Sequence, residues 1–163
     1  NKRTGKLRDA GVRNITSYND IPGKHMSYLV VVVDELASLI PRNKNITRSL
    51  TEIGRLGRAV GIHGIIATQR PSRGVIDMDV QGQFPGRIAF NVTTSSNSVM
   101  ILNHGGAEKL IGKGDMLFQS ESEQSRRVQG IYIKDEEIEK VTSYWRNHPQ
   151  TELENDDVAE DEI

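Results

Sequence analysis

Cysteine is absent from this chain, so neither a disulfide framework nor a thiolate metal site is available to it. Long apolar runs are absent too. Nothing approaches the roughly 18 residues that cross a bilayer, and the opening NKRTGKLRDA lacks the apolar core of a secretion signal. No internal repeat is found. These absences read as a cytoplasmic chain that would meet a membrane only through regions outside it. Methionine is missing from the first position, where Asn1 stands, and the sequence reads as a piece of something longer.

What is present suits one globular domain: 163 residues, 36% hydrophobic and 26% charged, enough to bury most of the apolar surface without staples. The formal net charge of −1 hides an asymmetry. Residues 151–163 (TELENDDVAEDEI) hold seven acids and no base, which leaves 21 basic against 15 acidic residues in 1–150. The expected organisation is a folded body over 1–150 and an acidic, disordered tail over 151–163. A basic body is compatible with a polyanionic partner.

Three short apolar runs stand out: LVVVV at 29–33, IHGIIAT at 62–68 and RIAFNV at 87–92. The first two lack the alternation of a half-wet sheet and predict parallel strands covered on both faces. Between them Ile46, Leu50, Ile53, Leu56 and Val60 form one apolar helical stripe. Strand, helix, strand in that order is a crossover unit. Farther on, Ser95 to Leu102 predicts a short helix. GDMLFQ (114–119) and RVQGIYI (127–133) predict a hairpin at the sheet edge, joined by the polar SESEQS. Asp135 is the expected cap of a last helix, with acids in its first turn and Arg146 and His148 near its end. The fold class is α/β: a mostly parallel sheet flanked by helices, with an edge hairpin.

In open parallel sheets, ligands bind beyond the carboxyl ends of the strands, and there LVVVV is followed by Asp34 and Glu35. An aliphatic strand ending in Asp-Glu is the Walker B pattern. The first carboxylate can hold the water shell of a Mg²⁺ that bridges nucleotide phosphates; the second can orient and polarise the attacking water. The alternative is that Asp34 caps a helix starting at Glu35 or Leu36. The second strand also ends in a polar cluster, Thr68, Gln69 and Arg70, before Pro71 turns the chain. Parallel neighbours would bring Gln69 to the rim of Asp34, where its amide can bond a γ-phosphate or the lytic water. A satisfied loop glutamine is the plainer alternative.

VVVVDELASLI, EIGRLGRAVGIHGIIATQRPS, RIAFNV and GGAEKLIGKGDMLF resemble, in order and spacing, the motor domain of the FtsK/SpoIIIE family of double-stranded DNA translocases, over about residues 11–147. The resemblance implies part of a RecA-like P-loop ATPase core that uses ATP and Mg²⁺ and assembles as a ring, usually a hexamer, around duplex DNA. It implies nucleotide contacts at Asp34, Thr68 and Gln69, with Asp34 holding Mg²⁺ through water.

On a helical wheel Arg55 and Arg58 fall opposite the apolar stripe, facing away from the core. Matched to the family's arginine before Ala-x-Gly, Arg58 is the candidate for a finger reaching a neighbour's ATP site in trans. Arg55 is the second candidate, with a local pair to Glu52 as its alternative. Gly54 and Gly57 each cost about 1 kcal/mol inside a helix, which points to close approach of another backbone or to a kink.

The sequence departs from the family in two places. No Gly-x-x-x-x-Gly-Lys-Ser/Thr loop precedes Leu29, and GGAEKLIGKGD imitates one but has Gly114 where Ser or Thr should stand. At the two positions where the family's pore loops carry lysine stand Gln81 and Ser95, leaving Arg70, Arg73 and Arg87 as candidate DNA-phosphate contacts. The expected function is therefore a fragment of an ATP-driven DNA translocase, inactive alone for want of the phosphate loop. A secretion-type ATPase moving protein substrates, or a non-catalytic assembly module, is the alternative.

Overall fold

The computed structural model describes residues 2–43, 45–121 and 124–148. Two short helices, α1 (Lys2–Asp9) and α2 (Ile15–Asn19), open the chain, and the Asn14 side chain caps α2 by accepting from the Ser17 amide. Strand β1 (Leu29–Val33), α3 (Leu36–Leu39), α4 (Ile46–Val60) and β2 (Ile62–Ile66) follow. After them come α5 (Met78–Gln83), β3 (Arg87–Ala89), α6 (Ser95–Leu102), β4 (Asp115–Gln119), β5 (Arg126–Gln129) and α7 (Asp135–Asn147). The expected crossover helix, hairpin and last two helices are all present, while α1, α2 and α5 were not anticipated.

Strands β1 and β2 pair in parallel, Leu29 opposite Ile62 and Val33 opposite Ile66. The hairpin β4–β5 does not extend this sheet; β4 pairs on its other side with β3, giving a separate antiparallel sheet ordered β3-β4-β5. Burial alternates along β1 and β2. Val33 and Ile66 turn towards Leu36, Leu50 and Val80, whereas Val30, Val32 and Ile65 are 60%, 65% and 57% exposed. The expected cover on both faces is thus met on one face only among the described residues. An all-valine run conceals this alternation, because both faces of the strand carry the same side chain.

Helix α4 buries Leu50 and Val60, with Ile46 and Ile53 half-buried, as the stripe requires. Its two interior glycines have a packing reason and no kink is needed. A Cβ on Gly57 would stand 2.5 Å from the Ile62 carbonyl oxygen, and one on Gly54 would meet the Gln83 side chain. The helix therefore lies against the start of β2 more closely than any side chain allows. Its end also closes a cluster with Leu7, Ile15 and Met26, tying α1 and α2 to the body. A third cluster, Ala89, Leu102, Ala107 and Leu110, holds β3 to α6 and the turn after it.

The GKGD segment is a structural turn. Asp115 is 4% exposed and takes two bonds from Arg127, at 2.8 and 2.7 Å, and one from the Ile111 amide. The Arg127 hydrogen bond, then the Ile111 amide, lower the Asp115 carboxyl to about 2. Helix α7 is capped by Lys134, not Asp135: the Lys134 amide donates to the Glu137 carboxylate at 2.9 Å, and Asp135 is already helical. The acidic tail, 151–163, lies outside the described residues. Among those residues no helix is long and apolar enough to cross a membrane.

Two outcomes test this account. Gly57→Ala, which on an open helix would gain about 1 kcal/mol, is expected to lose about 1–3 kcal/mol by urea unfolding, because a backbone carbonyl blocks the methyl group. Asp115→Asn is expected to be less stable than the parent at neutral pH. Because the folded carboxyl titrates near 2, below its unfolded value of roughly 3.9, the difference should be complete above about pH 4 and fade as pH falls through about 2.

Candidate functional site

The two parallel strands end in step. Beyond their last register pair, the Ala67 amide donates to Val33 O at 2.8 Å and the Leu36 amide donates to Ala67 O at 2.9 Å. The residues between, Asp34 and Glu35 on one chain segment and Thr68 and Gln69 on the other, therefore share one rim.

Glu35 adopts the left-handed region, φ 48° and ψ 63°, where non-glycine residues are uncommon. This conformation aims its side chain across at the neighbouring strand. The Thr68 hydroxyl donates to Glu35 Oε1 at 2.8 Å and the Gln69 amide donates to Oε2 at 2.9 Å. The Arg70 amide in turn donates to the Thr68 hydroxyl oxygen at 3.1 Å. The Gln69 amide, then the Thr68 hydroxyl, hold the Glu35 carboxyl below its usual range; partial desolvation opposes them and the Arg70 charge adds to them.

Asp34 is exposed, and its carboxylate has no hydrogen bond or ion pair among the described residues. The helix-cap alternative fails: the cap position of α3 belongs to Glu35, whose side chain does no capping. A bare carboxylate at a strand tip suits a hydrated Mg²⁺, which keeps several waters and binds through one or two carboxylates plus substrate phosphates.

The structure separates the arginines. Arg58 is exposed and borders a cavity of about 540 Å³ between α4, the start of β2 and the segment before β3. Arg55 is exposed over a second hollow of about 410 Å³ with Asp77 and Asp79. Neither forms an ion pair among the described residues, so the Glu52 pairing considered for Arg55 is absent. Arg70 and Arg73 are exposed on the loop after β2.

Arg87 is different. Its guanidinium donates to Ile101 O and to Gln81 O, each at 3.2 Å, and desolvation lowers its pKa. It is thereby spent on fastening α5 to α6, which argues against a phosphate contact there. The Gln81 side-chain amide, donating to Met100 O, completes this clasp. Sequence reasoning missed it, because no local pattern shows that the end of α6 lies over the start of β3. It also missed that Glu35 would be held by its neighbours, a contact made by a side chain and an amide 33 and 34 residues away.

The FtsK/SpoIIIE family model matches residues 1–73. A DNA translocase FtsK of Oceanobacillus iheyensis is 43% identical over 155 residues, which cover 88% of this chain and 20% of the relative. Among solved structures, the pCW3 conjugation coupling protein TcpA, in a monomer form with ATPgS, superposes with a TM-score of 0.76 at 29% identity, over 88% of this chain and 44% of TcpA. The cytoplasmic domain of the Type VII secretion ATPase EccC from Thermomonospora curvata gives a TM-score of 0.73 at 25% identity, over 80% of this chain and 16% of EccC. The chain spans about a fifth of the length of the curated relatives it matches. With the family model matching residues 1–73 and a DNA translocase relative 43% identical over 88% of the chain, this chain belongs to the FtsK/SpoIIIE family.

Proposed function

We propose that this chain is the hydrolytic half of an ATP site in a ring-forming motor that moves double-stranded DNA. The observation that carries the reading is the shared rim: Glu35 is bonded to Thr68 and Gln69 at the tips of two parallel strands, beside the bare Asp34. A bound Mg²⁺·ATP would supply the electrophilic phosphorus and the charge-neutralising ion. Asp34 would hold that ion through its water shell, and Glu35 would accept a hydrogen bond from the attacking water and polarise it. The Gln69 side chain, exposed just beyond the Glu35 contact, would read the γ-phosphate, with Thr68 setting the geometry.

Arg58, exposed beside the larger cavity and without an ion pair among the described residues, is suited to reach a neighbouring subunit's phosphates, and Arg55 is the second candidate on the same helix. Arg70 and Arg73 follow directly on the site and are the DNA-phosphate candidates. DNA as the substrate is supported by relatives that are named DNA translocases. Protein transport is the second reading, favoured by the likeness to a secretion ATPase and by the uncharged Gln81, whose amide is engaged by Met100.

These 163 residues carry no Gly-Lys-Ser/Thr loop before β1, so the chain alone is expected to bind ATP weakly. Isothermal calorimetry giving micromolar affinity would overturn that. In a longer protein containing this chain and a phosphate loop, Glu35→Gln is expected to leave ATP bound while turnover falls by at least about a hundredfold, in line with loss of a general base. Turnover equal to that of the parent would remove Glu35 from its role. Stimulation of turnover by duplex DNA, and not by an unfolded polypeptide, decides between the two substrates.

A further inference from the structure

We propose that α7 is a docking surface for a second copy of this chain, the two helices packing antiparallel along Ile138, Val141 and Trp145. The contact is separate from the ring interface to which Arg58 is assigned. A two-fold pairing closes on two copies and cannot propagate into a ring.

Helix α7 has an apolar face and no cover. None of its 13 residues is buried, and Ile138, Val141, Tyr144 and Trp145 are each about half exposed. An isolated helix of that length is marginal in water and gains most of its stability by packing an apolar face. The described residues supply no such packing. The spacing of the face suits another helix: Lys134, Ile138, Val141, Trp145 and His148 follow at intervals of four, three, four and three, the seam of a coiled coil with a polar residue at each end.

Charge selects the partner and its direction. At 3.6 residues per turn, Asp135, Glu139 and Arg146 line one flank of the seam, both acids in the first half of the helix and the arginine in its last turn. Parallel pairing would set like charges side by side. Antiparallel pairing brings Arg146 of each copy beside Asp135 and Glu139 of the other. The helix dipole favours this polarity along the axis, but it does not require the three residues to share a flank. Shape points the same way. Tyr144, Trp145 and His148 form one aromatic plate, with the Tyr144 ring centroid 5.6 Å from that of Trp145 and 4.4 Å from that of His148. The plate occupies one end of the seam and Ile138 the other. Antiparallel packing lays each plate on the smaller Ile138 of the other copy, with the two Val141 side chains at the centre, whereas parallel packing would set plate against plate. Three seam side chains per helix make a small interface, so the expected dimer is weak and dissociates on dilution.

The test uses the 163-residue chain, whose single tryptophan is Trp145 and which has no cysteine, so emission and an introduced thiol both report on α7 alone. Sedimentation is expected to show a monomer–dimer equilibrium, and Trp145 emission to shift to the blue over the same concentrations. Under mild oxidation Val141→Cys, at the seam centre, is expected to form a disulfide-linked dimer where His148→Cys, at its end, does not. Val141→Glu is expected to weaken dimerisation about a hundredfold, because it takes a charge out of water at the seam. Arg146→Glu leaves the seam intact and is expected to weaken it about tenfold, with Asp135→Arg and Glu139→Arg in the same chain restoring the parent value. That rescue guards against Val141→Glu acting by unfolding the helix. A monomer at every concentration overturns the proposal; blue Trp145 emission would then mean that α7 folds onto its own chain. A dimer that Val141→Cys does not cross-link, or that His148→Cys cross-links equally well, also overturns it, since the second copy then sits elsewhere or runs parallel.

Discussion

The parallel pairing of two five-residue strands sets where every candidate group at the site stands. Side chains on a strand alternate with period two, and a slip of one residue would send each to the opposite face. With Val33 held opposite Ile66, the residues just past each strand emerge together, and Glu35 finds a hydroxyl and an amide within bonding distance. Shift the pairing by one and the same carboxylate would meet a different pair of donors. The register is pinned from one face: Val33 and Ile66 pack on Leu36, Leu50 and Val80, so slippage would carry valine and isoleucine out of the only cover the described residues supply.

That cover depends on how closely α4 approaches β2. Gly57 lies under the Ile62 carbonyl and Gly54 under Gln83, so the helix sits at backbone contact with its neighbours. Two glycines in a helix interior weaken it locally, and the cost is offset by the apolar stripe that the close approach buries. The same packing leaves Arg55 and Arg58 on the exposed side of the helix. Their availability follows from packing on the opposite face, which is why a helical wheel could find them without a structure.

Legibility in the sequence followed the range of the interaction. The α4 stripe, the α6 helix and the β4–β5 hairpin depend on local period and turn chemistry, and all were readable from the chain. The strand-tip cluster was readable too, since buried runs ending in Asp-Glu and Thr-Gln-Arg announce a polar rim. Less visible was whatever depends on a distant partner or on identical residues facing both ways. LVVVV gave no hint that Val30 and Val32 would stand more than half exposed. Helices α1 and α2 escaped because their burial rests on three separated side chains, Leu7, Ile15 and Met26, gathered by the far end of α4.

The arginines make the same point about range. Arg70 and Arg87 both flank a strand and look equivalent in the sequence, as basic residues beside apolar runs. Helix α6 separates their fates. Its last turn leaves the Met100 and Ile101 carbonyls without intrahelical partners, as every helix end does, and the negative end of the helix favours a cation there. Arg87 starts the strand packed against α6, so it satisfies Ile101 and then reaches back to Gln81, whose own amide takes Met100. Arg70 lies near the start of α3, not at a helix's carbonyl end, and is exposed. A basic residue next to a strand is thus a candidate for nucleic-acid contact only when no orphaned carbonyl is near enough to claim it, and that condition is set by where the next helix ends.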